Sequence, residues 1–94
     1  MEATIFLTKF GEPGETRKVT YTWADVESVL NRNAIDKEAA RLDAVLDAIY
    51  MRGQNEFDPQ PHPSASAGDY IEMPLGPIYR IEPMGFTRVE CVGE

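Results

Sequence analysis

The sequence predicts an α+β fold, a two-layer sandwich in which two helices lie on one face of a mostly antiparallel sheet. Two strand-like segments come first, two amphipathic segments follow, and three strand-like segments close the chain, in the order ββααβββ. Strands and helices grouped in this way typically pack as two layers around one core. With 94 residues the chain has room for one such core, so we expect a single domain over residues 1–94.

The first two strands are predicted to form a hairpin. Residues 4–10 are rich in β-branched and aromatic side chains, and Ile5 alternates with Leu7 onto one face. Residues 11–14 contain the proline and glycines of a turn. The return strand is expected over residues 18–22.

Two helices are predicted next. The first is capped by Thr22, whose hydroxyl can accept a hydrogen bond from the N–H of Asp25, and it ends near residues 31–33. The second is capped by Asp36 and closed by Gly53. Apolar residues at helical spacing form one stripe on each helix: Trp23, Val26, Val29 and Leu30, then Ala39, Leu42, Val45, Leu46, Ile49 and Tyr50.

A long loop and a three-stranded meander complete the chain. Residues 53–68 carry three prolines and two serines without apolar periodicity, which indicates a surface loop, and loops of this length are often functional. In the meander, alternation with period two predicts one buried face. Its predicted members are Ile71, Met73, Tyr79, Ile81, Val89 and Cys91.

Composition limits the classes of function. The chain has 16 acidic and 9 basic residues, a net charge of −7, which disfavours direct contact with nucleic acid and permits a protein partner with a basic surface. One cysteine cannot form an internal disulfide, and no apolar run is long enough to span a bilayer. With no signal-peptide pattern after Met1, we expect a protein of the host cell's cytoplasm, without membrane contact.

The last third of the chain resembles a known group of proteins. The matching residues are Ser64, Ser66, Gly68, Asp69, Ile71, Tyr79, Ile81, Gly85 and Phe86. They follow a Ser-x-Ser-x-Gly-Asp pattern, a short turn, a Tyr-x-hydrophobic strand and a Gly-Phe dipeptide. This arrangement is similar to small phage and plasmid proteins and to the YodL-like domains of mobile elements. The resemblance implies an accessory or host-directed protein, and it implies no biochemical activity.

No catalytic, cofactor or metal site is predicted. His62 lies between two prolines, is expected to be exposed, and has no second ligand at metal-binding spacing. Cys91 is predicted to be a buried core thiol, and neither Ser64 nor Ser66 sits in a nucleophile elbow. We therefore expect that the chain is not an enzyme.

Acidic residues are the predicted contacts for a partner: Glu56, Asp58, Asp69, Glu72, Asp43 and Asp47. The loop and strand-entry residues Ser64, Ser66, Gly68 and Tyr70 are further candidates. Asp43 and Asp47 are four residues apart, about 6 Å on a helix, which also suggests nucleic-acid mimicry. Most of the excess negative charge lies outside the helices, between Gly53 and Glu94. This distribution favours the interpretation that the acids of the second helix form an ordinary solvated face.

Tyr70, Tyr79 and Phe86 raise the alternative of base stacking, but this use needs a basic groove. Arg80 and Arg88 are more simply explained by cross-strand pairs with neighbouring glutamates.

The leading hypothesis is an acidic interaction protein that binds and modulates or inhibits a host protein, such as a nucleic-acid-binding defence factor. The alternative is a module that binds or sequesters a small ligand or nucleotide, in which the aromatic residues and the serine-rich loop line a pocket. A third hypothesis is an assembly role, in which residues 4–10 or the last strand pair across a two-fold axis to form a homodimer.

Overall fold

The computed structural model describes residues 1–33 and 41–94, and it confirms the α+β fold and the order ββααβββ. Within these residues the strands are β1 (Glu2–Phe6), β2 (Thr16–Thr20), β3 (Tyr70–Glu72), β4 (Ile78–Ile81) and β5 (Phe86–Val89), and the helices are α1 (Trp23–Asn33) and α2 (Arg41–Arg52). The strands form one antiparallel sheet with the spatial order β2-β1-β3-β4-β5.

One hydrophobic core joins the helices to a single face of the sheet. Residues paired across neighbouring strands share a face. Ala3 of β1 pairs with Val19 of β2. Ile71 of β3 pairs with Ile5 on one side and with Tyr79 on the other. These residues are buried in one cluster with helix residues Val26, Val29, Leu30, Ala44, Val45, Leu46, Ala48 and Ile49.

The β1–β2 turn is built as its sequence predicts, but the return strand begins earlier. The N–H of Glu15 donates to the main-chain oxygen of Glu12 at 2.9 Å. Gly14 has φ +80°, as the third residue of a type II turn requires. Because the turn closes at Glu15, the return strand is Thr16–Thr20 and not the predicted 18–22.

The predicted cap of α1 is confirmed, and one member of its predicted stripe is wrong. The N–H of Asp25 donates to Thr22 Oγ1 at 3.3 Å, and the Asp25 carboxylate accepts from the N–H of Thr22 at 2.9 Å. Each residue satisfies the other's free group at the helix start. Trp23 is the first residue of α1 and is 56% exposed, whereas Val26 and Leu30 further along the same stripe are buried.

α2 ends at Arg52 as predicted, and Gly53 follows it for a packing reason. The N–H of Gly53 continues the helical pattern and donates to the main-chain oxygen of Ile49 at 2.9 Å. A Cβ atom on Gly53 would lie 2.6 Å from Ile5 Cδ1, too close for any larger residue without a shift. A larger residue here would therefore have to displace the end of the Ile5 side chain.

Two other predictions for α2 have different outcomes. Leu42 was predicted to lie on the buried stripe, and this is wrong, since its side chain is exposed. In the part of α2 whose side chains are described, the first buried residue is Ala44. The predicted cap Asp36 and the stripe residue Ala39 lie outside the described residues.

The meander buries only part of its predicted face. Tyr79 and Ile81 are buried, and Met73 packs against the core. Val89 pairs with Ile78, and it therefore faces away from the helices, contrary to the prediction. Cys91 lies beyond the end of β5 and is exposed, so its predicted burial is also wrong.

Candidate functional site

The loop between α2 and β3 is attached to the sheet by a buried arginine. Arg17 lies on the core face of β2, opposite Ile5, and is 0% exposed. Its Nη1 donates to Asn55 Oδ1 at 2.6 Å and to the main-chain oxygen of Pro63 at 3.3 Å. Its Nη2 donates to the main-chain oxygen of Asp58. One buried cation therefore holds three points of the loop against the sheet.

The charge of Arg17 persists at neutral pH. Burial lowers the pKa of Arg17 from its ordinary value, and the charge of Asp58 opposes this effect. An arginine guanidinium nevertheless stays protonated in proteins. The hydrogen bonds that it donates to the loop are therefore charge-assisted, about twice as strong as those between neutral groups.

Asn55 organises the loop from within. Its Nδ2 donates to the main-chain oxygen of His62 at 2.7 Å, and its main-chain N–H donates to Ser64 Oγ at 2.8 Å. The Oδ1 atom that accepts from Arg17 also accepts from the N–H of Gln60 at 3.2 Å. These bonds fold the loop back on itself, so its course is set by specific contacts.

A further contact joins the loop to the β1–β2 hairpin. His62 Nδ1 lies 2.6 Å from Glu15 Oε2. This hydrogen bond, together with one from the backbone of Glu12, lowers the pKa of Glu15. The expectation that His62 is exposed is therefore corrected, because its side chain is half-buried against a carboxylate.

The tip of the loop presents an aromatic side chain between two acids. The N–H groups of Phe57 and Asp58 both donate to the main-chain oxygen of Gln54 at 3.0 Å, which forms a single helix-like turn. Phe57 is 51% exposed, Glu56 is exposed and Asp58 is half-buried. Residues Glu56, Phe57 and Asp58 are called the loop tip below.

An ion pair joins the end of α2, where the loop begins, to the start of α1. Arg52 Nη2 lies 2.8 Å from Asp25 Oδ1, which joins the last turn of α2 to the first turn of α1. The hydrogen bond between them lowers the pKa of Asp25 and raises the pKa of Arg52, and the charge of Asp58 raises the latter further. Asp58 is therefore in electrostatic range of Arg52, at the end of the helix layer where α1 begins.

The six predicted acidic contacts do not form one patch. Glu56 and Asp58 belong to the loop tip, whereas Asp43 and Asp47 are exposed on α2. Glu72 pairs with Thr4 and so lies on the sheet face away from the helices.

Asp69 is buried and holds the end of the loop. It is 1% exposed, and its carboxylate accepts from the N–H groups of Ser66 and Lys9 at 2.9 and 2.8 Å. Its oxygens are occupied by the protein's own backbone, so they are not available to a partner.

The other strand-entry residues also make structural contacts. Ser64 accepts from the N–H of Asn55, as described above. Gly68 has φ +99°, and its N–H donates to the main-chain oxygen of Ile81 at 2.9 Å. The hydroxyl of Tyr70 donates to the main-chain oxygen of Glu94 at 2.6 Å. The Ser-x-Ser-x-Gly-Asp segment thus works here as the joint between loop and sheet.

The sheet does not offer a shared aromatic platform for base stacking. Tyr70 pairs with Arg80, whereas Tyr79 pairs with Ile71, so the two tyrosines lie on opposite faces. Phe86 shares the face of Tyr79 and packs against the core. Proteins that bind single-stranded nucleic acid need successive aromatic rings along one groove. Here the rings lie on opposite faces of the sheet.

The basic residues of the meander do not form the predicted cross-strand pairs with glutamates. Arg80 Nε lies 2.5 Å from Glu82 Oε1, two residues along the chain. The guanidinium of Arg88 lies over the ring of Tyr79, 5.8 Å from its centre. The cross-strand partner of Arg88 is therefore an aromatic ring.

Reactive side chains are few. Desolvation, followed by the negative charge of Glu94, raises the pKa of the Cys91 thiol, which favours its unreactive protonated form. Within residues 1–33 and 41–94, no group of three or more histidine, cysteine or acidic side chains is arranged to hold a metal ion. The helices of that same part of the chain are all too short or too polar to cross a membrane.

Two residues central to the loop escaped sequence reasoning. Arg17 shares the alternation of Val19, which is the signal that places it on the buried face, but the strand was expected to begin after it. Phe57 lies in a segment without periodicity, where no pattern distinguishes an exposed aromatic from a buried one.

Comparisons with known proteins found no match: no family model, no curated protein and no solved structure is similar to this chain.

Proposed function

We propose that this protein is a non-enzymatic binding module that recognises a protein partner with a basic surface through its loop tip. The observation that carries the proposal is the pairing of an exposed aromatic, Phe57, with a loop held in place by the buried Arg17. An irregular loop normally loses conformational freedom on binding. A loop already fixed by internal hydrogen bonds loses less, so more of its contact energy appears as affinity.

The chemistry of the loop tip suggests the partner. Exposed aromatic side chains near the centre of a contact often contribute most of the binding energy. Glu56 and Asp58 flank Phe57, and the chain as a whole carries a net charge of −7. A partner with an apolar pocket surrounded by lysine or arginine would complement this arrangement and would be attracted over a distance.

The biological setting is proposed from the resemblance of residues 64–86 to YodL-like and small phage proteins. In a mobile element, such a module would act on a protein of the host cell's cytoplasm, modulating or inhibiting it. A host factor that binds nucleic acid, including a defence factor, has the basic surface that this proposal requires.

Three clefts lined by described residues give no specific support to the alternative of a small-ligand module. Clefts beside the hairpin loop, beside β5 and along α1 have volumes of about 260, 160 and 230 Å³. Sites for drug-sized ligands usually enclose about 300–1,000 Å³.

The test is capture of the partner from host lysate with the tagged full chain, read by mass spectrometry. Phe57→Ala should reduce recovery of a stoichiometric partner at least tenfold, and Glu56→Lys should reduce it similarly. Leu75→Ala is the matched control, since Leu75 is 96% exposed in the β3–β4 turn, away from the loop tip. Equal recovery with all three variants would show that the loop tip is not the interface.

A further inference from the structure

A shallow groove on α1 lies at the same end of the helix layer as the loop tip. It is lined by Trp23, Val26, Glu27 and Leu30, which are spaced at i, i+3, i+4 and i+7. Val26 and Leu30 form its buried floor, whereas Trp23 and Glu27 are exposed along its sides. The groove follows the helix for seven residues, about 10 Å at 1.5 Å per residue.

The ion pair between Arg52 and Asp25 connects this groove to the loop tip. Arg52 ends α2 one residue before the long loop, and Asp25 lies in the first turn of α1. Trp23, which is 56% exposed, lies two residues before Asp25, and Phe57, which is 51% exposed, lies five residues after Arg52. Glu27 and Glu56 are both exposed, and Arg52 is bound to Asp25.

From this arrangement we propose that the α1 groove and the loop tip form one composite site for a basic amphipathic helix of the partner protein. The inference rests on the proposed function and specifies its partner. Two turns of a helix match the groove's length, and apolar side chains would contact the exposed rings of Trp23 and Phe57, since Val26 and Leu30 beneath are only 0% and 8% exposed. Lysine or arginine side chains would face Glu27 and Glu56, and one could also lie over the ring of Trp23.

The groove contains its own reporter, since Trp23 is the only tryptophan of the chain. The probe is a synthetic 16-residue helix of leucine and lysine with its leucines on one face, added to the full-length protein while Trp23 emission is recorded. A scrambled peptide of the same composition and an amphipathic leucine–glutamate peptide are the comparison probes. We expect a saturable blue shift with the amphipathic basic peptide and at least tenfold weaker binding of the other two.

Two charge-matched variants decide whether the groove is the site. Glu27→Lys should weaken binding of the amphipathic basic peptide at least tenfold. Glu90→Lys makes the same change at an exposed position beyond β5, at the opposite edge of the sheet from β2, and should leave the affinity within twofold. Circular dichroism and thermal unfolding of both variants confirm that they are folded.

Other outcomes would overturn the inference. Equal binding of the scrambled peptide, or equal loss in both variants, would mean unspecific attraction by net charge. A blue shift that grows with protein concentration alone would mean that a second copy covers the groove, and no shift would mean that no helix binds there. If the peptide fails to bind while Phe57→Ala still abolishes partner capture, the groove inference falls and the proposed function stands. If the peptide binds and Phe57→Ala leaves partner capture intact, the proposal that the loop tip contacts the partner is wrong.

Discussion

At the scale of single residues, buried polar groups rather than exposed charges determine how the loop is presented. Arg17 and Asp69 are both inaccessible, and each satisfies main-chain groups of a segment distant in sequence. A buried polar group that loses its partner costs about 1–3 kcal/mol, and more when it is charged. Both residues are therefore structural requirements for the candidate site rather than parts of its contact surface.

The first prediction concerns Arg17. Arg17→Met keeps the apolar stem of the side chain but removes the guanidinium that donates to Asn55, Asp58 and Pro63, so we expect a loss of about 3 kcal/mol in unfolding free energy. Hydrogen exchange in the loop should rise more than in the core strands, because the guanidinium holds three points of the loop. Chemical unfolding and exchange measured by mass spectrometry check both effects.

The control for Arg17→Met is Lys18→Met, one residue away on the exposed face of β2. It should change the unfolding free energy by less than about 0.5 kcal/mol. Unchanged loop exchange in Arg17→Met would contradict the role given to this residue, and so would an equal loss of stability in both variants.

The second prediction is a pH dependence at Asp25. The hydrogen bond from Arg52 lowers the pKa of Asp25 in the folded state, below the value of about 3.9 expected for an unfolded chain. The stabilising contribution is therefore complete above about pH 5, and it is lost as the pH falls through the folded-state pKa. Asp25→Asn should thus be less stable than the wild type at pH 7, by an amount that shrinks toward pH 3.

Urea unfolding at pH 7, 5 and 3 measures this difference. Asp43→Asn, at an exposed acid of α2, is the control and should stay within about 0.5 kcal/mol of the wild type at pH 7. A difference between the wild type and Asp25→Asn that is the same at all three pH values would exclude a charged contribution from the ion pair with Arg52.

At the scale of elements, local sequence patterns predicted the strands and helices well but predicted less well which of their faces is exposed. The turn at Gly14 and the cap at Thr22 use hydrogen bonds between neighbours in sequence, so the sequence contains all the information needed for them. The face of β5 depends on the geometry of the turn before it. Because side chains alternate along a strand, a shift of one residue moved Val89 to the other face.

The third prediction belongs to the junction of α2 and the loop. Gly53→Ala places a methyl group where Ile5 Cδ1 and Ala65 Cβ already lie, at 2.6 and 3.2 Å from the added atom. Overpacking of this kind costs about 1–3 kcal/mol. Thermal unfolding should show a clear loss of stability for Gly53→Ala, whereas replacing glycine by alanine in an exposed helix normally stabilises a protein.

Ile5→Val, which shortens the side chain in contact, tests the reason for that loss. Combined with Gly53→Ala, it should recover part of the lost stability because it removes the Cδ1 atom that the new methyl group meets. Additive losses in the double variant would indicate that Gly53 is required for another reason.

At the scale of the whole molecule, other segments of the chain contact the outer strand β2 and the residues just after the outer strand β5. Gln60 Nε2 donates to the main-chain oxygen of Lys18 in β2 at 3.0 Å. Beyond β5, the Glu94 carboxylate accepts from the N–H groups of Glu90 and Cys91 at 2.5 and 2.7 Å. These contacts reduce the free backbone available for edge-to-edge pairing. The hypothesis of a homodimer through residues 4–10 is wrong, because β1 lies inside the sheet between β2 and β3. Pairing through the last strand, β5, stays a prediction, which sedimentation would test.

The fourth prediction follows from the net charge of −7. If the partner is basic, its capture should weaken when salt is raised from about 50 to 500 mM, because the Debye length falls well below 10 Å. Glu56→Lys should show a weaker salt dependence than the wild type, and Leu75→Ala should show the same one. Capture that is insensitive to salt would mean that the partner is recognised by apolar contact alone.

The sequence by itself determined the fold class, the order of elements and the start of α1, because periodicity, capping and turns depend on residues close along the chain. Only the tertiary structure decided that Asp69 is buried, that Trp23 is exposed and that Arg17 fixes the loop. Each of these depends on which distant segment lies opposite a side chain. A local sequence pattern does not contain this information. The hydrogen bonds join Asp69 to Lys9, 60 positions apart in the sequence, and Arg17 to Asp58, 41 positions apart.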